Sequence, residues 1–218
     1  MGWALSGSLP RIDHFSLRTG AAWLAATDPR LAGLLSKQGL PPVWVRTEGF
    51  ATLVKIILEQ QVSLASAAAA YTNLTRTIGL VEPVAFLTLD DATLKRVGFS
   101  RQKAGYCRGV AEAVVDGSLD LAALRAMEDD RVRSRLTALR GVGPWTADVY
   151  LLFALRRADA WPTGDRALVV AMAESLPLDE VPSYETAFEM ARAWSPWRSI
   201  AARMLWHAYL TRRGRSLA

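Results

Sequence analysis

Apolar positions along this chain recur at helical spacing, and the strict alternation of a half-buried strand is nearly absent. Asp28 before Pro29 reads as an N-cap and first helical residue, and Gly39 before Pro41-Pro42 reads as a stop. Phe50, Leu53, Val54 and Ile57 fall at i, i+3, i+4 and i+7, one buried face of a helix running to Gln60. Ser63 caps a following helix whose alanine run, Ala65 to Ala70, permits close packing and which Gly79 ends. Asp90 caps a short helix stopped by Gly98. Ser100 caps a longer one through Val115, closed by Gly117. Asp120 and Asp129 predict two further starts. Pro144 suits the first turn of a helix over Trp145 to Arg156, where its missing N–H is not needed. Asp165 opens a helix through Ser175, Ser183 caps another, and Ser195-Pro196 begins a last one to Arg212. The prediction is an all-α chain of roughly ten short helices with short connections.

Composition narrows the class. A chain of 218 residues has room for one large domain or two small ones, and 51% hydrophobic with 22% charged residues describes a globular protein. The net charge of +5 and a pI near 9.7 favour an anionic partner, nucleic acid first, although many soluble proteins carry such a charge without one. Cys107 is the single cysteine, which excludes an intrachain disulfide, a cysteine-built zinc site and an iron–sulfur cluster. His14 and His207 are too few to suggest a metal site. No charged segment followed by an apolar one marks a signal peptide, and runs such as Val149 to Leu155 are too short to span a bilayer. The expectation is a cytoplasmic protein with no membrane partner.

The candidate chemistry centres on Leu139-Arg140-Gly141-Val142-Gly143-Pro144-Trp145-Thr146-Ala147. Two glycines bracket one apolar residue between two helical segments, the form of a helix-hairpin-helix. Both glycines are expected at positive φ, and neither puts a side chain between the main chain and a ligand. Their N–H groups, with those opening the Trp145 helix, can face a phosphate that the helix dipole favours. The same pair of glycines serves equally well as a helix–helix turn with no ligand. Downstream, Asp165 follows Pro162-Thr163-Gly164. An aspartate there is ordinarily an N-cap, and only the hairpin upstream suggests more. Asp148, inside a helix, is expected to face solvent or join a salt bridge.

These motifs resemble the helix-hairpin-helix DNA glycosylase superfamily, and within it the 3-methyladenine DNA glycosylase II (alkylbase) family. The hairpin string over 139–147 carries the resemblance first. Ile57-Leu58-Glu59-Gln60-Gln61-Val62-Ser63, Phe99-Ser100-Arg101-Gln102-Lys103-Ala104, Trp161-Pro162-Thr163-Gly164-Asp165 and Trp194-Ser195-Pro196-Trp197-Arg198-Ser199 follow in the family's order, over residues 45–210. The resemblance implies a two-lobed helical bundle with the active site in the cleft between lobes. Residues 48–160 would form the lobe with the hairpin, and residues 1–47 with 161–218 the second lobe. The N-terminal β-domain of the larger alkylbase enzymes is expected to be absent.

The resemblance also implies roles. Asp165 would be the catalytic carboxylate, stabilising the positive charge that develops on the sugar as an N-glycosidic bond breaks. Trp145 stands where the superfamily's bifunctional members carry a Schiff-base lysine, which implies a monofunctional enzyme that uses water. Trp145, Tyr150, Trp161 and Trp197 are the candidate substrate-binding aromatics, while Trp206 reads as core. Gln61 aligns with the DNA-penetrating wedge, with Gln60 beside it. Gly141, Val142, Gly143, Thr146 and Lys103 would contact DNA, and Arg101 and Arg140 either meet phosphates or are simply solvated. The carbonyls of Thr137, Leu139 and Val142 would hold Na+ or K+, and no cofactor is required. The implied partner is duplex DNA containing damaged bases, bound by a monomer, and the implied reaction is release of alkylated purines such as 3-methyladenine and 7-methylguanine. A different lesion (ethenoadenine, hypoxanthine or a mismatched pyrimidine) and a non-catalytic binder of distorted DNA remain alternatives.

Overall fold

The computed structural model describes residues 11–215. Over these the chain forms twelve α-helices: α1 (His14–Thr27), α2 (Pro29–Gln38), α3 (Phe50–Glu59), α4 (Leu64–Ile78), α5 (Pro83–Leu87), α6 (Asp91–Val97), α7 (Arg101–Val115), α8 (Asp129–Thr137), α9 (Pro144–Phe153), α10 (Arg166–Ser175), α11 (Tyr184–Arg192) and α12 (Arg198–Arg212). Among the described residues there is no strand, only an isolated antiparallel bridge between Arg11 and Arg157.

Most helix starts follow the capping chemistry of the sequence. The side chains of Asp28, Ser63, Asp90, Ser100, Asp165 and Ser183 each accept a backbone N–H in the first turn of the helix they open. Four starts differ. Asp120 accepts the N–H groups of Ala122 and Ala123, making a local turn that leads only into a 3-10 segment, Ala123–Ala126. The helix expected at Ser195-Pro196 begins instead at Arg198, because Ser195 Oγ and the Arg198 guanidinium both turn to the Asp159 carboxylate. Helices α1 and α5 are additional to the sequence prediction: Asp13 and Ser16 form a reciprocal capping box at the start of α1, and α5 opens on Pro83 without a side-chain cap.

The chain divides into two compact units: Arg46–Tyr150, and Met1–Val45 with Leu151–Ala218, of which residues 1–10 and 216–218 lie outside the described set. The division falls within α9, ten residues before the boundary the motifs suggest. The following segment belongs with the C-terminal helices because its polar groups are satisfied there. Leu152 O accepts Arg203 Nη2 at 2.9 Å, Ala160 N–H reaches Ser199 Oγ at 2.9 Å, and Arg198 pairs with Asp159 at 2.8 Å.

In the Arg46–Tyr150 unit, α3 is central. The predicted face is buried, and so are Thr52, Ile56 and Leu58, so the helix is enclosed on most sides rather than amphipathic. It packs on α4 and α7, and Phe50, Phe86 and Phe99 form an edge-on and tilted aromatic cluster at 5.7 Å spacings. In the other unit α12 is central, packing on α1, α2, α10 and α11. Arg203 on α12 is fully buried and donates to Trp44 O at 2.8 Å as well as to Leu152 O, pinning the chain on either side of the first unit to one helix.

Candidate functional site

The hairpin is built by α8 and α9. Leu139 N–H bonds Leu136 O and Val142 N–H bonds Leu139 O, both at 3.1 Å, which tightens the turn between the helices. Arg133 on α8 donates from Nε to Asp148 on α9 at 2.7 Å, and also reaches Asp130. Asp148 is buried, so this ion pair ties the two helices from within; of its two expected settings, the salt bridge is the one realised.

The two glycines differ. Gly141 has φ +85°, and a Cβ there would collide with the Tyr106 ring, so both conformation and space demand glycine. Gly143 is not at positive φ, contrary to expectation, and a Cβ there would meet nothing within 4 Å. Nothing inside the protein requires glycine at 143. Its carbonyl accepts Ala147 N–H at 3.1 Å in the first turn of α9, and the residue itself is exposed.

Several expected contact residues turn inward. Thr146 is 1% exposed, and its Oγ1 accepts Gln60 Nε2 at 3.0 Å. The same Gln60 nitrogen donates to Gly141 O at 2.9 Å, so Gln60 binds the hairpin rather than projecting outward. Lys103 is half-buried, and its Nζ donates to Leu58 O and Gln60 O, each at 2.7 Å. Lys103 thereby caps the end of α3, and burial lowers its pKa. The Val142 side chain is buried and its N–H is already bonded to Leu139 O. Gln61, Val62, Ser63 and Leu64 are left outward, all exposed. Gln61 sits in the left-handed region at φ +55°, uncommon for a residue other than glycine.

The aromatic candidates separate in the same way. Tyr150 is 0% exposed; its hydroxyl accepts Gly49 N–H at 2.9 Å and holds the start of α3. Burial pushes its pKa up to about 12. Tyr150 is thus placed in the core, with its hydroxyl engaged by the main chain. Trp161 is buried against Trp194, with ring centres 5.6 Å apart. Trp197 is part-exposed and lies over Gly20, where a Cβ would come within 2.8 Å of its ring. Trp145 is part-exposed in the first turn of α9.

In the other unit, Asp165 is the N-cap of α10. Its Oδ1 accepts Leu168 N–H at 2.8 Å and the Trp206 indole Nε1 at 3.3 Å. Trp206 is buried as expected, stacked on Phe153 at 5.4 Å and 15°. Periodicity identified its apolar face and missed its polar edge. The signal available was chemical: a buried indole N–H needs an acceptor. Phe153 is covered on its other flank by the Arg203 guanidinium, 5.1 Å from the ring centre. Asp165, Trp206, Phe153 and Arg203 therefore form one connected group.

For the implied alkali ion, Thr137, Leu139 and Val142 supply neutral main-chain oxygens within one tight turn, the hard donors such an ion takes. The Leu139 oxygen keeps a second lone pair beyond its bond from Val142 N–H. The donor set fits. Among the described residues no cluster of His, Cys, Asp and Glu offers another metal site.

A family model described as "HhH-GPD superfamily base excision DNA repair protein" matches residues 54–196. The chain is 26% identical over 205 residues to a Bacillus subtilis protein provisionally named a DNA-3-methyladenine glycosylase, covering 90% of this chain and 68% of that one. Among solved structures it is 30% identical to a DNA-3-methyladenine glycosidase of Bacillus halodurans, with a TM-score of 0.76 over 89% of this chain and 91% of that one. The 3-methyladenine DNA glycosylase of Schizosaccharomyces pombe, in complex with abasic DNA, shares the fold at a TM-score of 0.81 and 22% identity, over 86% and 95% of the two chains.

Proposed function

The chain belongs to the HhH-GPD superfamily of base excision DNA repair proteins, and we propose that it is a monofunctional DNA glycosylase hydrolysing the N-glycosidic bond of alkylated purines in duplex DNA. The observation that carries this reading is the carboxylate of Asp165, oriented by Leu168 N–H and the Trp206 indole. In the reaction the C1′–N9 bond breaks and its electron pair leaves with the base. A purine methylated at N3 or N7 departs as a neutral molecule, so no strong general acid is needed. The positive charge left on the sugar is stabilised by the Asp165 carboxylate. Water then bonds C1′, and its proton passes to that carboxylate. A preorganised group of this kind contributes on the order of 10²–10³ in rate.

The hairpin supplies the backbone grip. Gly143, free of internal demands for glycine, allows a phosphate to approach the N-terminus of α9 closely. Carbonyls of Thr137, Leu139 and Val142 would hold Na+ or K+, which would supply positive charge at the hairpin. The exposed segment Gln61 to Leu64 fills the gap left by the extruded base. Of the two part-exposed candidate rings, Trp145 and Trp197, Trp145 lies in the first turn after the hairpin and is the one read as stacking on a cationic base.

Position 145 also decides the outcome for the strand. Tryptophan offers no amine for a Schiff base, so the product is an uncut abasic site. The test is a duplex oligonucleotide with one 7-methylguanine, assayed for free base, for strand breaks before and after mild alkali, and for borohydride-trapped complex. Free base, with breaks only after alkali and no trapped complex, is expected. A trapped complex would overturn the monofunctional assignment, and no free base, either here or as 3-methyladenine from randomly methylated duplex, would overturn the alkylpurine substrate.

A further inference from the structure

We propose that Lys103 and Gln60 are positioning residues that hold the exposed loop between α3 and α4 in its DNA-entering shape and lock it to the hairpin. The inference rests on the glycosylase reading above and names residues that act through others, without touching substrate themselves.

Helix α3 ends at Glu59, and the last turn of any helix leaves carbonyls without N–H partners. Two carbonyls at this end, Leu58 O and Gln60 O, converge on a single ammonium, Lys103 Nζ, at 2.7 Å each. The charge lies at the negative end of the helix dipole. Lys103 itself is anchored, since its backbone N–H bonds the Ser100 cap of α7 at 3.2 Å. The next residue, Gln61, takes φ +55°. A residue that carries a Cβ is strained in that region. Fixing the carbonyl just before it holds the chain on course into that conformation.

The second tie runs from the same residue. Gln60 presents its carbonyl to Lys103 and its amide to Gly141 O and Thr146 Oγ1, at 2.9 and 3.0 Å. Gly141 is the tight turn of the hairpin, and Thr146 lies in the first turn of α9. The proposed phosphate grip and the proposed plug are thus joined through one side chain. A plug that enters a base stack must arrive at a fixed offset from the phosphate that holds the strand, and this link sets that offset. It also explains why two polar residues in the motif, Gln60 and Thr146, are turned away from the surface.

The test compares Lys103→Met, Gln60→Ala and Lys103→Arg with the wild type on two substrates. In one, 7-methylguanine pairs with cytosine. In the other it faces an abasic-site analogue, where no pair must be broken and extrusion costs less. Lys103→Met and Gln60→Ala are expected to lose about tenfold or more in kcat/KM on the paired substrate, the scale of a misplaced contact, and far less on the unpaired one. Lys103→Arg, with donors for both carbonyls, is expected to recover most of the activity. Thermal melting shows which variants fold; should Lys103→Met unfold, Gln60→Ala carries the same comparison. Equal losses on both substrates, or none on either, overturn the proposal while leaving the glycosylase reading intact. Failure of the wild type on both substrates overturns the two together.

Discussion

Asp165 does two jobs with one carboxylate oxygen. Oδ1 caps α10 through Leu168 N–H and also receives the Trp206 indole. Trp206→Phe keeps a ring beside Phe153 but removes the donor together with part of a buried indole, so kcat for base release is expected to fall about tenfold, the scale of one hydrogen bond to a charged group, in a protein that melts at a lower temperature yet remains folded. An unchanged kcat would show that the indole does not orient the acid. The helix start at Asp165 was legible, because an aspartate after Pro162-Thr163-Gly164 reads as an N-cap. The partner of its carboxylate was not, because Trp206 lies on an apolar helix face and only tertiary packing brings its N–H to a carboxylate. Lys103 illustrates the converse. A basic residue in a DNA-binding motif reads as a phosphate contact, and nothing local shows that two carbonyls at the end of another helix have claimed it. The aromatic candidates divide for the same reason: spacing cannot distinguish a wholly enclosed Tyr150 from a part-exposed Trp145.

At the scale of elements, the hairpin is held by the Arg133–Asp148 pair and by the fit of Gly141 against Tyr106. Asp148→Ala removes the buried partner of Arg133, which keeps Asp130 and partial contact with solvent, and is expected to cost about 1–3 kcal/mol in urea unfolding. Gly141→Ala forces a side chain into φ +85° against an aromatic ring, so both stability and DNA affinity are expected to drop. A second junction, between α1 and α2, predicts acid sensitivity. Asp28 is buried and accepts Arg30 through both carboxylate oxygens and Trp194 through its indole. The Arg30 hydrogen bond, aided by those of Trp194, holds its pKa at about 2. A depressed carboxylate stabilises the fold above its unfolded value and stops doing so as pH falls through the folded one. About 2 kcal/mol should therefore be lost between pH 4 and pH 2, a loss that Asp28→Asn should flatten in acid unfolding curves. The helices opened by Asp28, Ser63, Asp90, Ser100, Asp165 and Ser183 were legible from their caps, whereas α1 was missed despite its Asp13–Ser16 box. Asp120 was misread because an aspartate closes a local turn as readily as it opens a helix, and Gly143 because a glycine between helices need not adopt positive φ.

At the scale of the whole molecule, the net charge of +5 frames an affinity that depends on salt. Binding to undamaged duplex DNA should weaken steeply as salt rises, in proportion to the phosphates neutralised. The all-helical class was legible throughout, since helical spacing persists along the chain and no segment alternates. The division of the chain was less so: sequence motifs mark where chemistry sits, whereas the boundary inside α9 is set by where Leu152 and Ala160 find hydrogen-bond partners. The central claim is hydrolysis of alkylated purine glycosides with Asp165 as the carboxylate. The direct measurement is chromatographic detection of free bases from randomly methylated duplex DNA, for the wild type and Asp165→Asn at equal DNA binding. Release of 3-methyladenine or 7-methylguanine by the wild type, reduced by about 10²–10³ in the variant, is the predicted result. Equal release by both proteins, or none by the wild type, would contradict it.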